Sequence, residues 1–161
     1  MRRTGALLLM PALILAACAS TGPNLSSEDR LQLYGANSTP VGHFRVDTRS
    51  GTVTRWTSLG DQALTVAGVS NQTYLLELRQ RCSGLAFANS IAISNSAGTV
   101  SPGFDSIQLL GANRQPTMTP SCRIATARLI NRQTLNEAKQ DLREASLVER
   151  DPNVTADPAT H

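Results

Sequence analysis

The stretch Thr73-Tyr74-Leu75-Leu76-Glu77-Leu78-Arg79 decides the fold class. Successive side chains of an extended chain point to opposite faces, so Tyr74, Leu76 and Leu78 share one face and Leu75, Glu77 and Arg79 the other. The first face is fully apolar and must be covered. Leu75 is apolar on the second face, so the strand is expected to be partly buried on both sides.

Similar short runs lie on either side of this strand. Phe44–Asp47, Val53–Ser58, Ala63–Ala67, Ser90–Ser94, Asp105–Leu110 and Arg123–Ile130 all read as strands. Ser50-Gly51, Leu59-Gly60-Asp61, Gly68–Gln72, Asn95–Gly98 and Gly111–Pro120 break them, and residues 36–42 read as a turn around Pro40. Strands at this spacing, without long helices between them, imply antiparallel pairing and a sheet that closes on itself. The expected fold is mainly β, with α+β as the variant: a small antiparallel β-barrel or sandwich of about six or seven short strands. Trp56, Leu64, Val66, Tyr74, Leu76, Leu78, Ile91, Ile93, Ile107, Leu109 and Ile124 are its expected core.

Two helices flank the strands. Ser27–Tyr34 can form a short N-terminal helix, with acidic residues in its first turn and Gly35 after it. Thr134-Leu135-Asn136-Glu137 has the spacing of a capping box and is expected to open a C-terminal amphipathic helix. Leu135, Ala138, Leu142 and Ala145 form a narrow stripe on that helix. The stripe is expected to lie across the open end of the β domain, with a second chain as the alternative cover. Asp151-Pro152 ends the pattern.

The N-terminus carries a different kind of signal. Arg2 and Arg3 precede the apolar run Ala6–Ala17, which is too short to cross a bilayer as a helix. Leu15-Ala16-Ala17-Cys18 follows the pattern of a bacterial lipobox, in which the cysteine is acylated after cleavage before it. This gives residues 1–17 as signal peptide, 18–26 as tether, 27–131 as a single β-rich domain, 132–150 as helix and 151–161 as disordered tail. The expected partner of acylated Cys18 is the lipid bilayer. Ala19 rather than aspartate follows it, which points to the periplasmic face of the outer membrane.

Composition narrows the function. The chain of 161 residues carries a net charge of +3. Arg2 and Arg3 leave with the signal, so the mature chain is close to neutral and no nucleic-acid partner is expected. Arginine fills every basic position except Lys139, which reads as a compositional bias rather than a phosphate-binding design. The chain has 3 cysteines. With Cys18 assigned to lipid, Cys82 and Cys122 form one possible pair, and an oxidising compartment favours a disulfide between them.

The central block resembles an uncharacterised family of small proteobacterial lipoproteins. The resemblance runs through Pro40-Val41-x-x-Phe44 and Trp56-x-x-Leu59-Gly60-Asp61-x-Ala63-Leu64-x-Val66. It continues in Tyr74-Leu75-Leu76-Glu77-Leu78-x-x-x-Cys82-x-Gly84-Leu85-x-x-Ala88-x-x-Ile91, Gly103-Phe104-Asp105-x-Ile107 and Cys122-Arg123-Ile124. It covers residues 30–130, and the helix from Thr134 departs from it. It implies the same Cys82–Cys122 pair and no activity.

The residues offer little catalytic chemistry. No Gly-x-Ser-x-Gly, phosphate loop or His-Glu-x-x-His is present. His43 reads as a solvated loop residue before a strand. Asp61 and Asp105 could form a carboxylate pair, but each sits where aspartate caps its own turn. Arg79 and Arg81 read as a solvated strand face. No enzyme activity, cofactor or metal is expected. Two classes of function remain. One is a non-catalytic interaction or structural module on the membrane, with an envelope protein as a further partner. The alternative is a periplasmic binding protein for a small ligand or cell-wall fragment, with Trp56 facing the ligand.

Overall fold

The computed structural model describes residues 25–49 and 51–150, with side chains to Ser146. The signal segment 1–17, Cys18, most of the tether and the tail 151–161 lie outside the described residues.

The central strand β7 (Thr73–Leu78) has the expected alternation, with Tyr74, Leu76 and Leu78 buried on one face and Leu75 buried on the other. It pairs antiparallel with β6 (Ala63–Ala67) on one side and β11 (Cys122–Ile130) on the other. Outward from β6 lies β5 (Trp56–Ser58); outward from β11 lie β10 (Ser106–Leu110), β8 (Ser90–Ile93), β4 (Thr52–Val53) and β3 (Thr48–Arg49). β1 (Ser38–Val41) also joins β11, and β2 (Phe44–Arg45) pairs separately with β9 (Thr99–Val100). All of these pairs are antiparallel. The nine-stranded sheet curls into a half-barrel, because β4 and β5, near its opposite ends, are consecutive in the chain.

This is the expected mainly β class, built from more and shorter pieces. The run Val53–Ser58 breaks at Thr54-Arg55, where the chain passes from one limb of the sheet to the other. The stretch read as a turn around Pro40 contains β1. That strand pairs on one side only, where a residue without an N–H is tolerated.

The concave face holds the main core. Leu64, Val66, Leu76, Ile91, Ile107 and Ile124 are fully buried there, with Tyr74, Leu78, Ile93 and Leu109 close behind. Trp56 is the exception to the expected core and is only half-buried. It lies on a three-residue edge strand with one neighbour, so its indole is covered from one side. Gly68 permits tight packing against Tyr74 and the Arg45 backbone. A Cβ there would meet the Tyr74 ring and lie 2.8 Å from the Arg45 carbonyl oxygen.

A second, smaller cluster covers the convex face. Leu75 is fully buried there among Leu59, Ala63, Ile130 and Leu135. Ile130 reaches this face through a register shift between Ile124 and Thr126. The extra residue reverses the alternation, so Ile124 and Ala127 point inward and Ile130 outward. The lid of the cluster is α1 (Ser27–Ala36), which contributes half-buried Leu31, Leu33 and Tyr34. Ser26 and Asp29 cap α1 reciprocally.

The C-terminal helix α2 (Arg132–Arg150) starts earlier than the capping-box reading implied. The Asn131 side chain accepts from the Gln133 and Thr134 N–H groups, at 3.0 and 3.3 Å. Asn131 is thus the cap, and Thr134 lies inside the first turn. The helix also docks differently from the expected cover of the barrel end. Leu135 is buried on the convex face, while Leu142 is 36% exposed. Lys139 lies 4.8 Å from the centre of the Tyr34 ring and donates to its hydroxyl at 3.2 Å, clasping α2 to α1.

Candidate functional site

Cys82 follows β7 and Cys122 opens β11. Both are buried and joined as a disulfide, with Cα atoms 5.6 Å apart. The Cys82 N–H donates to the Asp61 carbonyl oxygen at 2.8 Å, tying the bond to the turn before β6. The bond staples one rim of the half-barrel and is a structural element.

The candidate acids serve separate local roles. Asp105 accepts from the Ser94 hydroxyl and the Ser101 N–H, both at 2.7 Å, and so clamps the entrance of β10. Asp61 lines a cleft of about 560 Å³ beside the start of α1, with Ser27, Glu28, Arg81 and Phe87; Asp105 is not part of it. One carboxylate oxygen of Asp61 is buried and has no hydrogen-bond partner among the described residues. His43 is exposed between β1 and β2. Arg79 and Arg81 are exposed, and only Arg81 reaches the Asp61 cleft.

A second concave region lies where the two limbs of the sheet approach each other. Two clefts, of about 450 and 660 Å³, meet at Thr54 and Arg55. The first has Trp56 and Thr65 in its lining and Arg132 at one wall. Arg132 is held there by Thr73 Oγ1 at 2.9 Å and Asn71 Oδ1 at 3.4 Å. The second is lined by Arg49, Arg55 and Arg114, with Asp47 as its acid. The Thr54 hydroxyl donates to the Asp47 carboxylate at 2.8 Å. Trp56 lines a cleft, and its ring also packs against the concave core. The sequence reading missed the arginines of the two clefts, Arg49, Arg55, Arg114 and Arg132. They come from four separate segments, and no local pattern links them.

Among the described residues these features define a curled antiparallel half-barrel, stapled by the Cys82–Cys122 disulfide, with a cleft beside α1 and a pair of adjoining clefts at Thr54 and Arg55. The chain belongs to the family of unknown function DUF6491, whose model matches residues 1–146. No curated protein and no solved structure matches it. No helix among the described residues is long and apolar enough to cross a membrane.

Proposed function

We propose that this protein is a small proteobacterial lipoprotein of the cell envelope, serving there as a non-catalytic interaction or structural module. The observation that carries the reading is Leu15-Ala16-Ala17-Cys18 behind a basic start and a short apolar run. Acylated Cys18 becomes the N-terminus and enters the bilayer. Two or three acyl chains make that attachment stable where one would not. The buried Cys82–Cys122 disulfide suits an oxidising compartment such as the periplasm. Residues 18–26 span at most about 30–32 Å when fully extended, which would keep the domain near the membrane surface. Phe87 and Phe104, 88% and 82% exposed, are apolar surface that an envelope protein partner could cover. Ala19 after the cysteine favours the periplasmic face of the outer membrane.

The test is membrane fractionation of cells expressing the wild type and Cys18→Ala, with mass spectrometry of the mature N-terminus. The wild type should sediment with membranes and carry a lipid mass on Cys18, while the variant should move to the soluble fraction. A wild type without lipid, together with a variant that stays in the membrane, overturns the reading.

A further inference from the structure

The mature chain is close to neutral, yet its charges are not evenly mixed. Glu28 and Asp61 line the cleft beside α1, where Arg81 is the one basic residue among those described. Arg49, Arg55 and Arg114 line the larger cleft on the other limb, where Asp47 is the one acid among the described residues. Thr54 already engages that carboxylate, and the three guanidiniums make no hydrogen bond to any described residue. Through Thr54 and Arg55 this cleft continues into the one walled by Arg132. Grouping like charges around a concavity costs repulsion, and a bound anion relieves it. Guanidinium groups match phosphate oxygens in paired, charge-assisted hydrogen bonds. Between the arginines the lining is rich in threonine, including Thr48, Thr52, Thr57 and Thr65. Hydroxyls both donate and accept, as polyol recognition requires.

We propose that this double cleft is a binding site for a phosphate-bearing saccharide. Arg49, Arg55 and Arg114 take the phosphate, and the threonines toward Trp56 and Arg132 take the sugar hydroxyls. The proposal gives chemical content to the ligand-binding alternative, and it stands whether or not Cys18 carries lipid.

The purified full chain in non-ionic detergent is titrated with glucose 6-phosphate, glucose and inorganic phosphate. Calorimetry measures binding, and the emission of Trp56, the one tryptophan in the chain, locates it. Glucose 6-phosphate should bind saturably, more tightly than phosphate and far more tightly than glucose, and added salt should weaken it. Arg55→Gln and Arg114→Gln should each weaken binding about tenfold, the loss expected for one hydrogen bond to a charged group. Both side chains are exposed, so their melting temperatures should match the wild type, and Arg81→Gln in the other cleft should bind normally. Absence of saturable binding, equal binding of glucose, or unchanged affinity in the Arg55→Gln, Arg114→Gln double variant overturns the proposal. Phosphatidylglycerol doped into the micelles supplies the same phosphate chemistry from a lipid headgroup. An arginine-dependent response to that lipid, with none to glucose 6-phosphate, rules out the saccharide.

Discussion

Leu75→Ala tests whether the convex face of the sheet is a second core. Leu75 is fully buried, not in the concave core but among Leu59, Ala63, Ile130 and Leu135 on the convex face, with α1 lying over them. Truncation to alanine removes roughly three carbon groups, at about 0.8 kcal/mol each on transfer to water. The cavity left behind adds to this, within an overall range of about 2–5 kcal/mol. Two helices form the outer wall and can settle inward more easily than a sheet can, so the value should fall in the lower half, about 3 kcal/mol. In a domain of this size that is a melting shift of roughly 10 °C. Urea unfolding followed by Trp56 emission measures it, with the midpoint falling at constant slope. Thr57→Ala, exposed on an edge strand, is the control and should change stability by less than about 0.5 kcal/mol. Leu135→Ala removes a neighbour in the same cluster, so its effect and that of Leu75→Ala should be non-additive. A loss below about 0.5 kcal/mol for Leu75→Ala, or strict additivity with Leu135→Ala, would refute the two-sided burial of β7.

Replacing both Cys82 and Cys122 by alanine opens a loop with a sequence separation of 40. The chain-entropy account gives a loss of about 4 kcal/mol, and thiol titration of the denatured, unreduced wild type should find no free thiol on either residue. Asn131→Ala should destabilise α2 by about 1 kcal/mol while Thr134→Ala costs a few tenths, read as helical circular dichroism against temperature. The Tyr74 hydroxyl donates to Gln72 Oε1 at 2.7 Å, and burial raises its pKa above the ordinary 10.0. The folded state therefore holds this proton more tightly than the unfolded chain. The resulting stability is complete below about pH 10 and is lost as pH rises through the raised folded value. Melting temperature against pH should fall more steeply on the alkaline side for the wild type than for Tyr74→Phe.

The sequence alone was enough to place β7, the faces of its side chains and the antiparallel class. Strand alternation is local information, and Tyr74, Leu76 and Leu78 carry it without help from distant residues. The pairing of Cys82 with Cys122 was also legible, because setting Cys18 aside as the expected lipid site leaves two cysteines. The inner faces of β6, β8 and β10 followed from the same alternation, and each of those residues is buried.

What the tertiary structure decided depends on contacts between distant segments. The register shift near Ala125 moves Ile130 to the convex face, and strand periodicity read from sequence assumes no such shift. The stripe on α2 shows that Leu135 needs cover but not what supplies it. Leu75, Ile130 and α1 supply it on the convex face, leaving Leu142 exposed. Trp56 has the pattern of a core residue, and its place on an edge strand leaves it half-buried beside a cleft. Arg49, Arg55, Arg114 and Arg132 share no sequence pattern, because curling of the sheet and the two-residue link between β4 and β5 bring them together. Periodicity shows which face of an element must be covered. Which segments meet that face depends on chain closure over long separations, and the double cleft is a product of that closure.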